Sequence, residues 1–345
     1  MNNLFDFLSS SNMVAYWLEK HVNDQPLLGE TLFPVKKEIS IEMKWIKGAS
    51  NQPVALRLSA FDAKSIRRDR EGIEEYSSKM PFFKESVYID EQMRQQLNLL
   101  MGTNNDEMVK QIIARIFDDQ IKLIDSALIS LERMRMEALT TGTITLSSNG
   151  QGYVYDFGVP AEQIKTAEQS WSDKTADIIG QVNDIVSEMK AKGITIRRAI
   201  INESVAKNFR TNENIKNAIY VLAGGAIPSI STTRALNYIY EETGVEFYVY
   251  DNVYVAEDGK AYKYVPDNTA VFIPEGDLGN THLGVTPEES DLMASGVADV
   301  SIVNNGIAVT NSREVDPVKF ETKVSMIGAP SFERANEVVI LDTEK

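Results

Sequence analysis

Three carboxylates in the last fifth of the chain come closest to a catalytic or metal-binding arrangement. Glu288, Glu289 and Asp291 lie within four residues and could bind Mg²⁺ or share a raised pKa. The preceding Thr286 and Pro287 favour the start of a helix instead, because threonine caps helices, proline suits the first position and acids suit the first turn. We therefore predict a structural role and keep a Mg²⁺-dependent enzyme as the alternative from a different class.

A short basic segment offers the second chemical possibility. Its basic side chains are Lys64, Arg67, Arg68 and Arg70. Acidic residues between positions 62 and 75 largely neutralise them, so an ion-pair network between subunits fits the segment as well as phosphate binding does.

Most other catalytic residue types and motifs are missing. The sequence has no cysteine and only two histidines, His21 and His282, and the surroundings of His282 indicate a loop residue. We find no Walker A loop, Rossmann glycine motif, nucleophile elbow or zinc-protease motif, and the Asp156-Phe-Gly158 tripeptide lacks the other kinase motifs. We predict no catalytic residue, no cofactor and no metal.

Composition is typical of a folded chain of about two domains. Of 345 residues, 43% are hydrophobic, and no apolar run is long enough to span a bilayer. The 35 basic and 50 acidic residues give a net charge of −15, which disfavours general DNA binding. The N-terminus has no processing signal, so we expect the protein to stay inside a cell and to bind no membrane.

The N-terminal third contains elements that reach outward. An apolar arm needs a partner, and its residues are Leu4, Phe5, Phe7, Leu8, Met13, Val14, Tyr16, Trp17 and Leu18. Alternation over 35–46 and 54–58 predicts a β-hairpin with its loop between them, followed by an extended charged loop over 62–72.

A single long helix is predicted between Asn104 and Gly142. Apolar residues recur at steps of three and four, with one slip in phase between Phe117 and Ile121. Such a helix would be about 50 Å long.

The rest of the chain reads as an α/β unit followed by strands. Helices are predicted from Ser172 or Asp173 to Gly193, at 214–222 and at 233–243, with a strand at 194–201. Later strands are predicted at 245–250, 253–255, 261–265, 270–274, 300–303, 306–309, 319–327 and 338–341.

Arm, hairpin and long helix cannot all bury their apolar faces within one subunit. We therefore predict an obligate homo-oligomer with extensive interfaces. The candidate interface residues are Phe5, Phe7, Leu8, Trp17, Trp45, Arg67, Arg68 and Arg70.

Short motifs in a fixed order carry a family resemblance. They are Asp156-Phe-Gly158, Trp171-Ser-Asp, Ala176-Asp-Ile-Ile, Gly193-Ile194, Phe272-Ile-Pro-Glu-Gly276, Gly284-Val-Thr-Pro-Glu-Glu289, Asp316-Pro317-Val318 and Pro330. In these the chain resembles the major capsid proteins of tailed bacteriophages related to the E protein of phage lambda.

The resemblance implies an α+β capsid fold of the Hong Kong 97 type. Its parts would be an N-terminal arm (1–34), an extended loop hairpin (35–90), a peripheral domain with a long spine helix (91–159), an axial α/β domain (160–312) and C-terminal strands that return to the peripheral domain (313–345).

The implied function is mechanical. Hexamers and pentamers would enclose double-stranded DNA in an icosahedral shell, touching it weakly and without sequence specificity. A scaffolding protein and a portal are implied partners, a decoration protein is left open, and assembly would take place in the bacterial cytoplasm. The nearest alternative is an encapsulin-like compartment that encloses a protein cargo.

Overall fold

Helices and strands alternate along the chain in a mixed arrangement, which confirms the predicted α+β class. The computed structural model describes residues 9–47, 74–89, 91–93, 95, 99, 106–148, 150–223, 229–296, 298–316 and 318–345. No helix within these ranges is long and apolar enough to cross a membrane. The chain divides into a first unit (1–43, 77–135 and 280–331) and a second unit (44–76, 136–279 and 332–345).

The helices range from one turn to ten. They are α1 (Ser10–Lys20), α2 (Leu28–Leu32), α3 (Asp106–Thr141), α4 (Ile178–Ala191), α5 (Glu203–Thr211), α6 (Glu213–Ala223), α7 (Thr232–Thr243) and α8 (Met293–Ser295). Short 3₁₀ helices cover Ala161–Gln163 and Ala335–Glu337, and a π-helix covers Glu288–Leu292.

The strands of the N-terminal half are β1 (Val35–Lys37), β2 (Glu42–Lys47), β3 (Glu74–Lys79), β4 (Phe82–Ile89), β5 (Thr143–Ser148), β6 (Gln151–Asp156) and β7 (Ile164–Thr166). Those of the C-terminal half are β8 (Ile196–Ile201), β9 (Glu246–Val249), β10 (Val253–Val255), β11 (Ala261–Lys263), β12 (Thr269–Pro274), β13 (Asn280–Leu283), β14 (Asp299–Val303), β15 (Ile307–Val315), β16 (Val318–Ser331) and β17 (Val339–Asp342).

The first unit is built around the long strand β16. The sheet order is β1-β13-β16-β15-β14, and β4 also pairs with β16. β15 and β4 lie antiparallel along the N-terminal part of β16, whereas β13 pairs with its last four residues, from Gly328 to Ser331. β1 joins the sheet parallel to β13, so a segment from the N-terminal region completes it.

Helix α3 begins and ends close to the predicted limits of 104 and 142. The apparent slip in phase is the position of Gln120, which is buried and donates from Nε2 to Thr322 Oγ1 at 2.7 Å. A polar residue therefore occupies the apolar face of a continuous helix, where a hydroxyl on β16 accepts a hydrogen bond from its amide nitrogen.

The second unit contains a sheet of order β7-β17-β12-β8-β9. The central strand β12 is antiparallel to both neighbours, and the outer pairs β17–β7 and β8–β9 are parallel. Four aromatic rings run through its core at centroid distances of 5.5, 5.1 and 5.9 Å, in the order Trp171, Phe209, Phe247 and Phe272. The helices and sheet thus share one apolar core.

Several predicted boundaries need correction. The helix predicted from Ser172 or Asp173 starts at Ile178, because Asp173 Oδ1 instead accepts a turn-forming bond from Thr175 N–H and Asp177 caps Gly180 N–H at 2.9 Å. The β5–β6 hairpin was not predicted, although an Asn-Gly pair lies between its strands.

The predicted 35–46 strand is interrupted. Its first part is β1, paired with β13, and its second part is β2, which pairs with β3. Residues 54–58 and the charged loop at 62–72 lie outside the described residues.

The two units also group the chain differently from the expected domains. Residues 280–312, expected in the axial domain, belong to the first unit with β16. Strand β17, expected to return to the peripheral domain, pairs with β12 and β7 in the second unit.

The end of α3 gives a stability prediction. Gly142 has φ +75°, and a Cβ there would approach Val159 Cγ2 to 2.7 Å, whereas Gly150 has φ +74° and open space around it. We expect Gly150→Ala to lower the free energy of unfolding by about 1 kcal/mol through backbone strain alone. Gly142→Ala should cost roughly 2–4 kcal/mol, because overpacking adds to that strain. Equal losses in chemical denaturation of the two variants would contradict the steric argument.

Candidate assembly surfaces

The first part of the predicted arm that the structure describes lies on its own chain. Helix α1 is capped by Ser9, whose Oγ accepts from Asn12 N–H. Ser10 donates to Asp299 of β14 through its hydroxyl at 2.8 Å, and Met13 and Trp17 are buried. The segment from Ser9 onward is therefore part of the first unit.

Two aspartates of α3 hold the other face of α1. Asp118 accepts from Tyr16 Oη at 2.9 Å and from Lys20, and the hydrogen bond from Lys20 is the main cause that lowers the pKa of Asp118. Asp125 Oδ1 accepts from Trp17 Nε1 at 2.8 Å. Helical periodicity alone does not identify these contacts, because the bonded residues lie about 100 positions apart in the sequence.

A buried ion pair on α3 joins three separate segments of the first unit. Glu132 Oε1 accepts from Gly29 N–H at 2.8 Å, and Arg135 Nε donates to Thr281 Oγ1 at 2.8 Å. Thr281 Oγ1 in turn donates to the Phe33 carbonyl at 2.7 Å. Glu132 and Arg135 are almost wholly buried, 3.5 Å apart.

Gly29 is required for this arrangement. A Cβ at Gly29 would lie 2.6 Å from Glu132 Oε2 and 2.9 Å from Arg135 Cβ. Only glycine therefore lets α2 come close enough for its backbone N–H to reach the carboxylate.

The three carboxylates considered as a metal site have separate roles. Glu288 is buried and accepts from Lys323 Nζ at 2.8 Å, whereas Glu289 pairs with Lys37 at 2.6 Å and Asp291 is exposed. No group of three or more acidic or histidine side chains in the described part of the chain could hold a metal ion. Thr286 Oγ1 accepts from Glu289 N–H at 3.3 Å, in agreement with the predicted capping role.

Burial and pairing act against each other on Glu288. Burial alone would raise its pKa, but hydrogen bonds from Lys323 and from the backbone outweigh that effect, and the pKa lies below its usual range. The carboxylate is thus ionised because its lysine partner compensates for the loss of water.

The prediction of a loop at His282 was wrong. His282 lies in β13 with no exposed surface, its Nδ1 3.0 Å from Glu38 Oε1 and its Nε2 3.0 Å from Ser331 Oγ. The hydrogen bond from Lys36 is the largest influence on Glu38 and lowers the pKa of its carboxyl group, with His282 adding in the same direction. The histidine joins β1 to β16 because one polar group lies on each side of its ring.

The structure describes two of the eight candidate interface residues. Trp17 and Trp45 are buried at 6% and 8% exposure, and Trp45 packs on Tyr76 and Phe157 at centroid distances of 5.6 and 6.0 Å. Both tryptophans are thus core residues of their own chain, and little of either ring is left for a neighbour. The others, Phe5, Phe7, Leu8, Arg67, Arg68 and Arg70, lie outside the described residues.

Other exposed apolar side chains were not identified from the sequence. In the first unit they include Ile39 (93% exposed) and Tyr88 (61%), and β4 is exposed along most of its length. In the second unit Val253 and Val255 of the β10–β11 hairpin are 58% and 65% exposed. Their alternation with buried or polar residues is ordinary for strands, so sequence alone does not distinguish them from core positions.

Sequence and fold comparisons agree with each other. The model of the family described as phage major capsid protein E matches residues 9–342. No curated protein matches the chain.

The fold is shared with solved structures at low sequence identity. The putative capsid protein of a prophage of E. coli CFT073 has a TM-score of 0.60 and 14% identity, with 97% of this chain and 98% of that chain covered. A phage-related protein from Bordetella bronchiseptica RB50 has a TM-score of 0.54 and 10% identity, with 94% of this chain and 96% of that chain covered. The capsid asymmetric unit of cyanophage A-1(L) has a TM-score of 0.50 and 12% identity, with 92% of each chain covered.

The buried ion pair gives the second prediction. Glu132→Ala removes the carboxylate beside the buried, charged Arg135, which should lower the free energy of unfolding by about 3–5 kcal/mol. The rate of amide hydrogen exchange at residues 28–33 should increase in the same variant, because Gly29 N–H loses the carboxylate that accepts its hydrogen bond. The matched control is Asp119→Ala, which removes an exposed ion pair with Lys122 on the same helix and should change stability by under ~0.5 kcal/mol. Unchanged exchange at 28–33 would contradict the anchoring role.

The Glu288–Lys323 pair gives a pH-dependent prediction. In the native chain the lowered pKa of Glu288 contributes stability at pH values above 4.5, the pKa of this carboxyl group in the unfolded chain. That stability is lost as the pH falls through the folded pKa. Lys323→Met removes the lysine, so that burial dominates and the pKa of Glu288 rises.

The variant should therefore be destabilised by about 2 kcal/mol at pH 7 and by less at pH 5, where the carboxyl group gains a proton. Denaturation midpoints of native chain and variant at both pH values test this. Lys122→Met is the exposed control, and its stability should show no such dependence on pH. An equal loss of stability at both pH values for Lys323→Met would contradict the coupling to Glu288 protonation.

Proposed function

Because the chain belongs to the phage major capsid protein E family, we propose that it assembles as hexamers and pentamers into an icosahedral shell of the Hong Kong 97 type around double-stranded DNA. The family match over residues 9–342 is the observation that carries this proposal. Membership makes the chain a structural, non-enzymatic component of a phage or prophage capsid. The kinship to the E protein of phage lambda belongs to the proposal and rests on the sequence motifs.

The described elements support an assignment of capsid parts. We assign α3 as the spine helix of the peripheral domain (91–159) and β2 and β3 as the base of the extended loop (35–90). The axial domain takes the five-stranded sheet and helices that begin at residue 160. Because residues 280–331 group with the first unit, we place that part of the expected 160–312 and 313–345 segments with the peripheral domain.

The N-terminal arm (1–34) divides into two functional parts under this proposal. Residues from Ser9 onward are held by the subunit itself through Asp118, Asp125 and Glu132. Residues 1–8 carry the remaining apolar side chains of the arm, Leu4, Phe5, Phe7 and Leu8, and these are the ones proposed to contact a neighbouring copy.

Charge supports weak and non-specific contact with packaged DNA. A net charge of −15 opposes tight binding to phosphates, and a shell that bound a moving duplex tightly would impede packaging. A scaffolding protein and a portal are proposed partners in the bacterial cytoplasm, and a decoration protein is compatible with the same assembly.

The arm gives a prediction that tests assembly directly. The full chain, expressed with candidate scaffolding proteins, should form closed shells or capsomer rings, observed by negative-stain electron microscopy and light scattering. Deleting residues 1–8 should leave a folded subunit that forms few stable shells. Deleting 1–20 should also lower the thermal midpoint, because it removes the buried Met13 and Trp17.

Three outcomes separate the alternatives. A monodisperse monomer under every condition would contradict the proposal, and normal shells from the chain lacking 1–8 would contradict the role of the arm. Shells produced in phage-infected cells that hold a folded protein cargo and no nuclease-protected DNA would support an encapsulin-like compartment instead.

A further inference from the structure

Both ring nitrogens of the histidine that ends helix α1 lie beside oxygen acceptors. His21 is the C-terminal cap of α1, and its backbone N–H donates to the Trp17 carbonyl at 3.1 Å. Its Nδ1 lies 2.9 Å from the same carbonyl oxygen. Its Nε2 lies 3.4 Å from Asp125 Oδ1 on α3 and 3.8 Å from Asp24 Oδ2 in the segment that follows α1.

A neutral imidazole leaves one of these contacts repulsive. It carries a single N–H, so one of its two nitrogens presents a lone pair. With the proton on Nδ1, the lone pair of Nε2 lies beside the carboxylates of Asp24 and Asp125. With the proton on Nε2, the lone pair of Nδ1 meets the Trp17 carbonyl. An imidazolium has an N–H at both positions, so the docked geometry favours the protonated ring.

The position on the helix and the stacked ring also favour a positive charge. The imidazole of His21 stacks on the indole of Trp17, with centroids 4.8 Å and planes 25° apart, and an indole face attracts a cation. The C-terminal end of a helix attracts a cation through its dipole. The same Trp17 is buried and donates from Nε1 to Asp125 Oδ1 at 2.8 Å. His21 and Trp17 therefore share one carboxylate of α3.

The nearby lysines of α1 and α3 bind other carboxylates. These ion pairs are Lys20–Asp118 and Lys122–Asp119. Among the described residues, His21 is the one cation within ion-pair distance of Asp24 and Asp125. Without a proton on His21, two carboxylates at the end of α1 therefore lie close together with no such cation beside them.

We propose that His21 binds a proton that fastens α1 to α3. Docking of the helix and protonation of the ring stabilise each other, because the docked position holds the charged form more favourably than the neutral one. Histidine changes its charge between about pH 5 and pH 8, so this stabilisation is present in mild acid and is lost as the pH rises through neutrality.

The proton would control how firmly the arm is attached to its own subunit, because α1 belongs to the part of the predicted arm that the structure describes. The inference goes beyond the proposed function. It concerns the single subunit and holds whether or not the chain forms shells.

Amide hydrogen exchange of the unassembled full-length chain tests the proposal. The measured quantity is the protection factor at residues 13–21, which removes the intrinsic effect of pH on exchange and reports local opening. Protection should be roughly three- to fivefold higher at about pH 5.5 than at about pH 8.5. Helix α4 contains no histidine and is the internal reference. Equal protection of α1 at both pH values, relative to α4, would overturn the proposal.

Two substitutions at position 21 fix the charge and serve as matched controls for each other. His21→Gln is uncharged and should give the lower protection of α1 at both pH values. His21→Arg is charged at both and should give the higher protection at both. The sequence has one other histidine, His282, which both variants retain. A pH difference that persists in the two variants would therefore assign the effect to another group and contradict the role of His21.

Discussion

The Glu132–Arg135 pair is the interaction on which the first unit depends. It lies on α3 and reaches α2 through Gly29 N–H and β13 through Thr281. The bonded residues of these three elements are separated by at least 100 positions in the sequence. Removing two charges from water costs free energy. Their mutual attraction offsets that cost only when further hydrogen bonds satisfy the remaining polar atoms of both side chains. The backbone of Gly29 and the hydroxyl of Thr281 supply two such bonds, so the pair and the three segments stabilise one another.

The same logic extends along the N-terminal region. Asp125, Asp118 and Asp299 hold α1, Glu38 bonds to His282 and Glu289 to Lys37. Apolar contacts would tolerate sliding of α1 and β1 along the unit, but charge-assisted hydrogen bonds require one position. The part of the arm that the structure describes is therefore fixed in register. An assembly protein gains from this, because a neighbour then meets a surface of defined shape.

Local patterns predicted well wherever an element is stabilised mainly by its own sequence. The long helix, the helices ending at Ala191 and Thr243 and the cap at Thr286 follow from periodicity, capping and glycine stops. The errors concern distant partners: the parallel pairing of β1 with β13 and the burial of His282. A burial pattern shows that a face is covered, but it does not show which segment covers it. For the same reason the sequence does not show that α3 covers Trp17 and that β3 and the residues after β6 cover Trp45.

The described parts of the chain differ in how they treat large apolar side chains: some segments bury them and others expose them. The large side chains of Trp17, Trp45 and Met13 are buried in the subunit's own core. Strand β4, the β10–β11 hairpin and the outer edge of β9 instead present apolar side chains or unpaired backbone. Natural proteins usually protect such edges, since an open strand recruits any exposed strand it meets. In a capsid protein an open edge has a use, because a second copy can complete the sheet.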